Sequence, residues 1–310
     1  MVVSLLPTPA IRAREQILRK GEPLIVGLLI LMIMFMPMSN AQAEPSVSTL
    51  NKVERWFVLL DYDEDRFQVK KEDVHGFDMA VLDPDHHPSL QLFKPGQILM
   101  AYISVGEAEN YRSYWKRINK KPWVVGSNAD WGGNFYVDVR SPEWVKIVLD
   151  EVLPPIIAQR FKGVFMDTLD TAEYLESLDP IKYAGVSEAM VELVRQIHER
   201  YPQLFLLSNN GFSLLEEIAP YLSGLIVEDI NMMVDFENDS YKKVLARERN
   251  DKIRILKAVT EKYGLPVFNI DYVSQEDKKL ITECILASKL LGYKPYVAEK
   301  DLSRVYKQYE

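Results

Sequence analysis

Five stretches of the sequence run through apolar, strand-like residues and stop on an acid: Leu59-Leu60-Asp61, Ala80-Val81-Leu82-Asp83, Val164-Phe165-Met166-Asp167, Leu225-Ile226-Val227-Glu228 and Phe268-Asn269-Ile270-Asp271. A parallel α/β barrel turns the C-terminal ends of all its strands to one face, so acids in that position converge on one cleft. Convergent carboxylates are suited to breaking glycosidic bonds.

Apolar runs and breakers predict eight strands, ending at Asp61, Asp83, Ser104, Asp167, Ser208, Glu228, Asp271 and Ala298. Helical spacing of Val186, Met190, Leu193, Val194 and Ile197 before Tyr201-Pro202 places a helix between the fourth and fifth. Strand and helix in alternation argue a parallel sheet, and the predicted fold is α/β, a (β/α)8 TIM barrel. Ser141-Pro142 predicts another helix start, with the serine as cap and the proline in the first turn. That leaves Gly106 to Arg140 as one long loop after the third strand, rich in Tyr111, Tyr114, Trp115, Trp123, Trp131, Phe135 and Tyr136. Loops of that length in compact domains are usually functional, and these aromatics argue against disorder.

The first 43 residues read as an export signal rather than as part of the fold. Arg12, Arg14, Arg19 and Lys20 precede an apolar run from Leu24 to Met38, and Ala41-Gln42-Ala43 supplies the small-x-small cleavage pattern. The expectation is cleavage before Glu44 and a periplasmic or extracellular protein; an uncleaved segment would instead anchor it in the membrane. The remainder, residues 44–310, suits one domain, since such barrels take about 250 residues. A formal charge of −8, more acidic still without the leader, makes nucleic acid a poor partner. The one cysteine, Cys284, forms no internal disulfide and reads as a small core residue.

Asp167 closes a fully apolar strand and reads as functional, while Asp170, three residues on, reads as a helix cap. Glu228 also ends a buried strand, where its apolar approach would raise its pKa, as a general acid requires. A structural salt bridge is the competing explanation for it. Tyr102, Glu107, Glu109, Tyr111, Trp115 and Trp131 are candidates to line the cleft, and Asn209 and Asn210 offer amides for hydroxyl recognition or for a turn. Asp61, Asp63, Asp83, Asp271, Tyr272, Glu299 and Asp301 complete a ring, some of them structural. Asp83-Pro84-Asp85-His86-His87 places metal-ligand types together, but no second cluster accompanies it, so neither metal nor cofactor is expected. There is no Gly-x-Ser-x-Gly elbow and no phosphate-cradling glycine loop.

Several motifs, in order, resemble those of glycoside hydrolase family 114: Tyr102 to Trp115, Val137 to Trp144, Gly163 to Asp170, Ser208 to Phe212 and Val227-Glu228. They are also similar to hydrolase domains that accompany exopolysaccharide synthesis. The resemblance spans nearly all of residues 44–310. It implies an endo-acting hydrolase of α-1,4-linked galactosamine or N-acetylgalactosamine polymers, with the catalytic aspartate at Asp167 and the glutamate at Glu228. The strand-end argument selects the same pair, and a retaining mechanism follows as an expectation. Two other readings stand beside it: a hydrolase of a different α-linked glycan, and a secreted sugar-binding barrel without turnover. Oligomeric state is not legible.

Overall fold

The computed structural model describes residues 47–307, so the expected leader lies outside the described residues. All eight predicted strands are present, at Trp56–Leu59, Met79–Leu82, Ile98–Ser104, Gly163–Asp167, Phe205–Asn209, Gly224–Glu228, Val267–Tyr272 and Lys294–Ala298. They form one parallel sheet whose spatial order is their order in the chain. The first and last strands come together through the Trp56 indole, whose Nε1 donates to Lys294 O at 3.0 Å and whose ring packs on Tyr296. The sheet is thus rolled into a nearly closed (β/α)8 TIM barrel. Strand residues are buried almost throughout, as parallel strands covered on both faces require.

Helices at Thr171–Leu178, Val186–Arg200, Ala246–Tyr263 and Lys278–Leu290 wrap the outside. Val186, Met190, Leu193, Val194 and Ile197 face the sheet, in agreement with their spacing. Cys284 is buried in the last of these helices. Among the described residues no helix is long and apolar enough to cross a membrane.

Three expectations need correction. A helix does begin at Pro142, but Ser141 contributes its carbonyl to Val145 N and its side chain caps nothing. Pro142, at the first position, removes one of the four free amides at the helix start. Asp170 likewise occupies the N-cap position without a side-chain cap bond. The segment from Gly106 to Arg140 is not one loop: it holds a short helix, Trp115–Ile118, and a three-stranded antiparallel sheet of Glu107–Glu109, Asn134–Val137 and Val124–Ser127. Its aromatic residues give this insertion its own packing, with Trp115 against Phe135 at 4.3 Å and Trp123 against Trp144 at 6.0 Å. A second insertion, the hairpin Met232–Asp235 and Ser240–Lys243, follows the sixth barrel strand.

Candidate active site

A cleft of about 740 Å³ opens at the C-terminal ends of the strands. Asp61, Asp83, Tyr102, Glu107, Tyr111, Trp131, Asp167, Asn209, Asn210, Glu228 and Tyr272 all line it. Glu109 and Asp301 line it too, so the structure brings together thirteen of the seventeen cleft candidates named from the sequence.

At its centre the fourth, fifth and sixth strands end on Asp167, Asn209 and Glu228. The Asn209 amide nitrogen donates to Asp167 Oδ1 at 2.8 Å and to Glu228 Oε1 at 3.3 Å. Acceptors lying along the two N–H bonds of one amide, which diverge by about 120°, stand about 5 Å apart at these distances. Tyr102 Oη donates to Asp167 Oδ2 at 3.0 Å, and the Thr168 amide donates to Oδ1 at 2.8 Å. Glu228 is pushed up to about 8, first by burial and then by the charges of Asp229 and Asp167, while hydrogen bonds from Tyr272 and Asn209 oppose the rise. Its amide donates to Asn210 Oδ1 at 3.0 Å, so Asn210 anchors the backbone of the acid beside it.

Each of these three strand ends is followed by a non-glycine residue with left-handed backbone: Thr168 at φ 64°, Asn210 at 45° and Asp229 at 60°. Such residues are uncommon, and a β-branched one is an outlier held by its surroundings. The Thr168 hydroxyl donates to Asp167 O at 2.6 Å, accepts from the Gly106 amide at 2.8 Å and shares a hydrogen bond with Ser104 Oγ. Gly106 is required there, since a Cβ would fall 2.1 Å from Thr168 O.

The remaining acids divide by partner. Glu107, buried in the wall, is held by Asn128 Nδ2 at 3.1 Å and Thr171 Oγ1 at 3.2 Å; burial and the Asp167 charge raise its pKa, and these hydrogen bonds oppose the rise. Asp83 and Glu109 are clamped by Arg112, at 2.6 and 2.8 Å. Asp170, expected as a cap, lines the cleft instead, and desolvation together with the Asp167 charge pushes it up to about 6. Asp61 and Asp301 add two more carboxylates, against a single lining lysine, Lys300.

Four expected residues, Asp63, Trp115, Asp271 and Glu299, do not line the cleft. Asp271 is fully buried, accepting from Asn231 N at 2.7 Å, Met232 N at 3.0 Å and Asn269 Nδ2 at 2.7 Å. It satisfies the turn that enters the hairpin, because a buried carboxylate is tolerated only when so bonded. Trp115 is partly buried against Phe135 within the insertion. Asn128, Asn134, Thr171 and Tyr174 line the cleft without having been anticipated. Thr171 and Tyr174 lie in the helix that follows Asp167, whereas Asn128 and Asn134 depend on how the insertion folds.

Residues 37–310 match the model of glycoside-hydrolase family GH114. An uncharacterized protein of Thermotoga maritima is 28% identical over 291 residues, 83% of this chain and 86% of that one. Another, from Methanocaldococcus jannaschii, is 31% identical over 229 residues, 68% of this chain and 64% of that one. Among solved structures, the glycoside hydrolase domain of PelA from Pseudomonas aeruginosa is similar with a TM-score of 0.70 at 22% identity, covering 82% of this chain and 97% of that one. Aspergillus fumigatus Ega3, solved in complex with galactosamine, has a TM-score of 0.61 at 18% identity, covering 86% of this chain and 96% of that one.

Proposed function

The chain belongs to glycoside-hydrolase family GH114 and is a glycoside hydrolase; on that premise we propose that it cleaves α-1,4-linked galactosamine and N-acetylgalactosamine polymers internally, with retention. The observation that carries this reading is the pair of hydrogen bonds from Asn209 to Asp167 and Glu228. A separation of about 5 Å between carboxyl oxygens suits a retaining enzyme, whose acids lie about 5 to 5.5 Å apart, better than an inverting one at about 6.5 to 9.5 Å.

Asp167 attacks the anomeric carbon as the glycosidic C–O bond breaks, and Glu228 gives its proton to the departing oxygen. Water then attacks the glycosyl ester, Glu228 takes the water's proton, and Asp167 leaves as the carboxylate. Glu228 is equipped for the first step because its proton is retained near neutral pH. Asp61, Asp170 and Asp301, set against one lysine, favour a cationic amino sugar over a neutral glycan. The galactosamine in the Ega3 complex supports the same sugar.

Digestion of partly deacetylated α-1,4-galactosaminogalactan by residues 44–310, with Asp167→Ala as control, tests the proposal. Oligosaccharides detected by mass spectrometry from the wild type alone support it; an intact polymer beside folded protein refutes it. The leader pattern supports export, which N-terminal sequencing of protein recovered outside the cytoplasm would test; a sequence starting at Glu44 is the expected result.

A further inference from the structure

The two insertions on the C-terminal face meet. Trp131 sits in the connection between Val124–Ser127 and Asn134–Val137, and Phe236 in the connection between Met232–Asp235 and Ser240–Lys243. Their rings pack edge to face with centroids 5.6 Å apart and planes at 81°. Both are large apolar side chains left about half exposed, at 48% and 47%, and Trp131 lines the cleft. The insertions follow the third and sixth barrel strands, which are separated in the sheet by the fourth and fifth. A bridge between them therefore passes above the strand ends that carry Asp167 and Asn209.

Each side of the bridge is tied down independently. On the Trp131 side, Asn128 Oδ1 accepts from the amides of Asp130 and Trp131 at 3.0 and 3.3 Å, while its Nδ2 donates to Glu107 in the cleft wall. On the Phe236 side, Lys300 pairs with Asp239, and the Lys300 amide donates to Tyr241 Oη at 3.2 Å. Among the described residues the two sides are joined by an edge-to-face contact between half-exposed rings, a contact worth about 0.5 to 1.5 kcal/mol beyond its buried area.

We propose that Trp131 and Phe236 form an aromatic latch over the cleft, and that Phe236 thereby retains the glycan between successive cuts. This rests on the function proposed above. Opening the latch admits the interior of a polymer chain, and its closing puts the Trp131 ring over the sugars beneath, where the apolar face of a pyranose stacks on an aromatic ring. A retained chain is cut several times before release.

The test follows reducing ends and solution viscosity together during digestion of partly deacetylated galactosaminogalactan by the wild type, Phe236→Ala and Phe236→Tyr. With retention, the wild type yields many new ends for a given fall in viscosity. Phe236→Ala is expected to yield several-fold fewer, because each encounter gives one cut, and Phe236→Tyr, which keeps the ring edge, to match the wild type. An unchanged ratio in Phe236→Ala overturns the latch while leaving the hydrolase reading intact, as does a Phe236→Tyr variant that behaves like the alanine variant. A wild type that cuts no amino-sugar polymer overturns the functional reading and the latch with it.

Discussion

If Glu228 supplies the proton, the alkaline limit of the reaction is set by its carboxyl group. Burial and the neighbouring Asp229 and Asp167 charges move it from 4.5 to about 8. An unshifted glutamate would be protonated in about one molecule in 300 at pH 7, whereas at about 8 roughly nine in ten carry the proton. The environment of Glu228 thus supplies an increase of about 300-fold in acid-competent protein, within the 10²- to 10⁴-fold that general acid catalysis typically contributes. The assay is kcat/KM against pH on two neutral substrates, so that no substrate amine titrates: an N-acetylated oligosaccharide and an aryl glycoside with an activated phenol. The oligosaccharide profile should fall about tenfold per pH unit above about 8, since its leaving oxygen needs the proton. The aryl glycoside should show no such fall. A descending limb in the ordinary carboxylate range, or the same limb on both substrates, would refute the assignment.

The same shift has a stability consequence. Folded Glu228 keeps its proton to about 8 while the unfolded residue loses it near 4.5, so native stability declines as pH rises through that window and is unaffected below it. Glu228→Gln, which never ionises, should exceed the wild type by up to roughly 3 kcal/mol at pH 7 and by almost nothing at pH 4.5. Denaturant midpoints at both pH values check this, and a gap that fails to widen would sink it. Asn209→Ala removes the donor shared by both carboxyl groups; losing the charged hydrogen bond to Asp167, worth about 1.5 to 3 kcal/mol, predicts a fall in kcat of roughly 10- to 150-fold. An unchanged kcat would show that the bridge does not position the pair. Salt should raise KM for a deacetylated polymer by screening Asp61, Asp170 and Asp301, and leave KM for the fully acetylated polymer alone; parallel responses would argue against amine recognition.

The strands were legible because each is a continuous apolar run, and burial on both faces of a parallel sheet demands that composition. The strand-end position of Asp167 and Glu228 was legible for the same reason, as the residue where apolar character stops. The insertions were not. All three strands are short, Val124–Ser127 and Asn134–Val137 are partly exposed, and the buried Glu107–Glu109 is two acids flanking one alanine, so their backbone pairing leaves little pattern in side chains. With them went Asn128, whose bond to Glu107 depends on how the insertion folds back on the barrel. Asp271 was misread because its sequence setting matches that of Glu228: an apolar strand stopping on an acid.

What separates Asp271 from Glu228 is where the next turn needs a partner. Left-handed Thr168, Asn210 and Asp229 reverse the chain directly after the fourth, fifth and sixth strands, at a cost of order 1 to 3 kcal/mol each for such backbone. Glycine would adopt these angles with less strain, but at Thr168 and Asn210 it would forfeit the side chain that fixes the neighbouring strand. The Thr168 hydroxyl holds Gly106 beyond the third strand, and Asn210 Oδ1 holds the amide of Glu228 on the sixth. Asp271, on the seventh, reaches back to Asn231 and Met232, just past the Glu228-Asp229 turn. Each contact runs from a side chain on one strand end to the backbone of an adjacent one, so the mouth of the barrel is pinned neighbour to neighbour. Asp271 is the acid used for pinning, and Asp167 and Glu228 are among those left facing the cleft. The strain at the turns and the raised pKa of Glu228 are therefore linked costs: burial is the main reason Glu228 keeps its proton, and the reversals that turn the two carboxylates into the cleft bring Asp229 and Asp167 close enough to add to the shift.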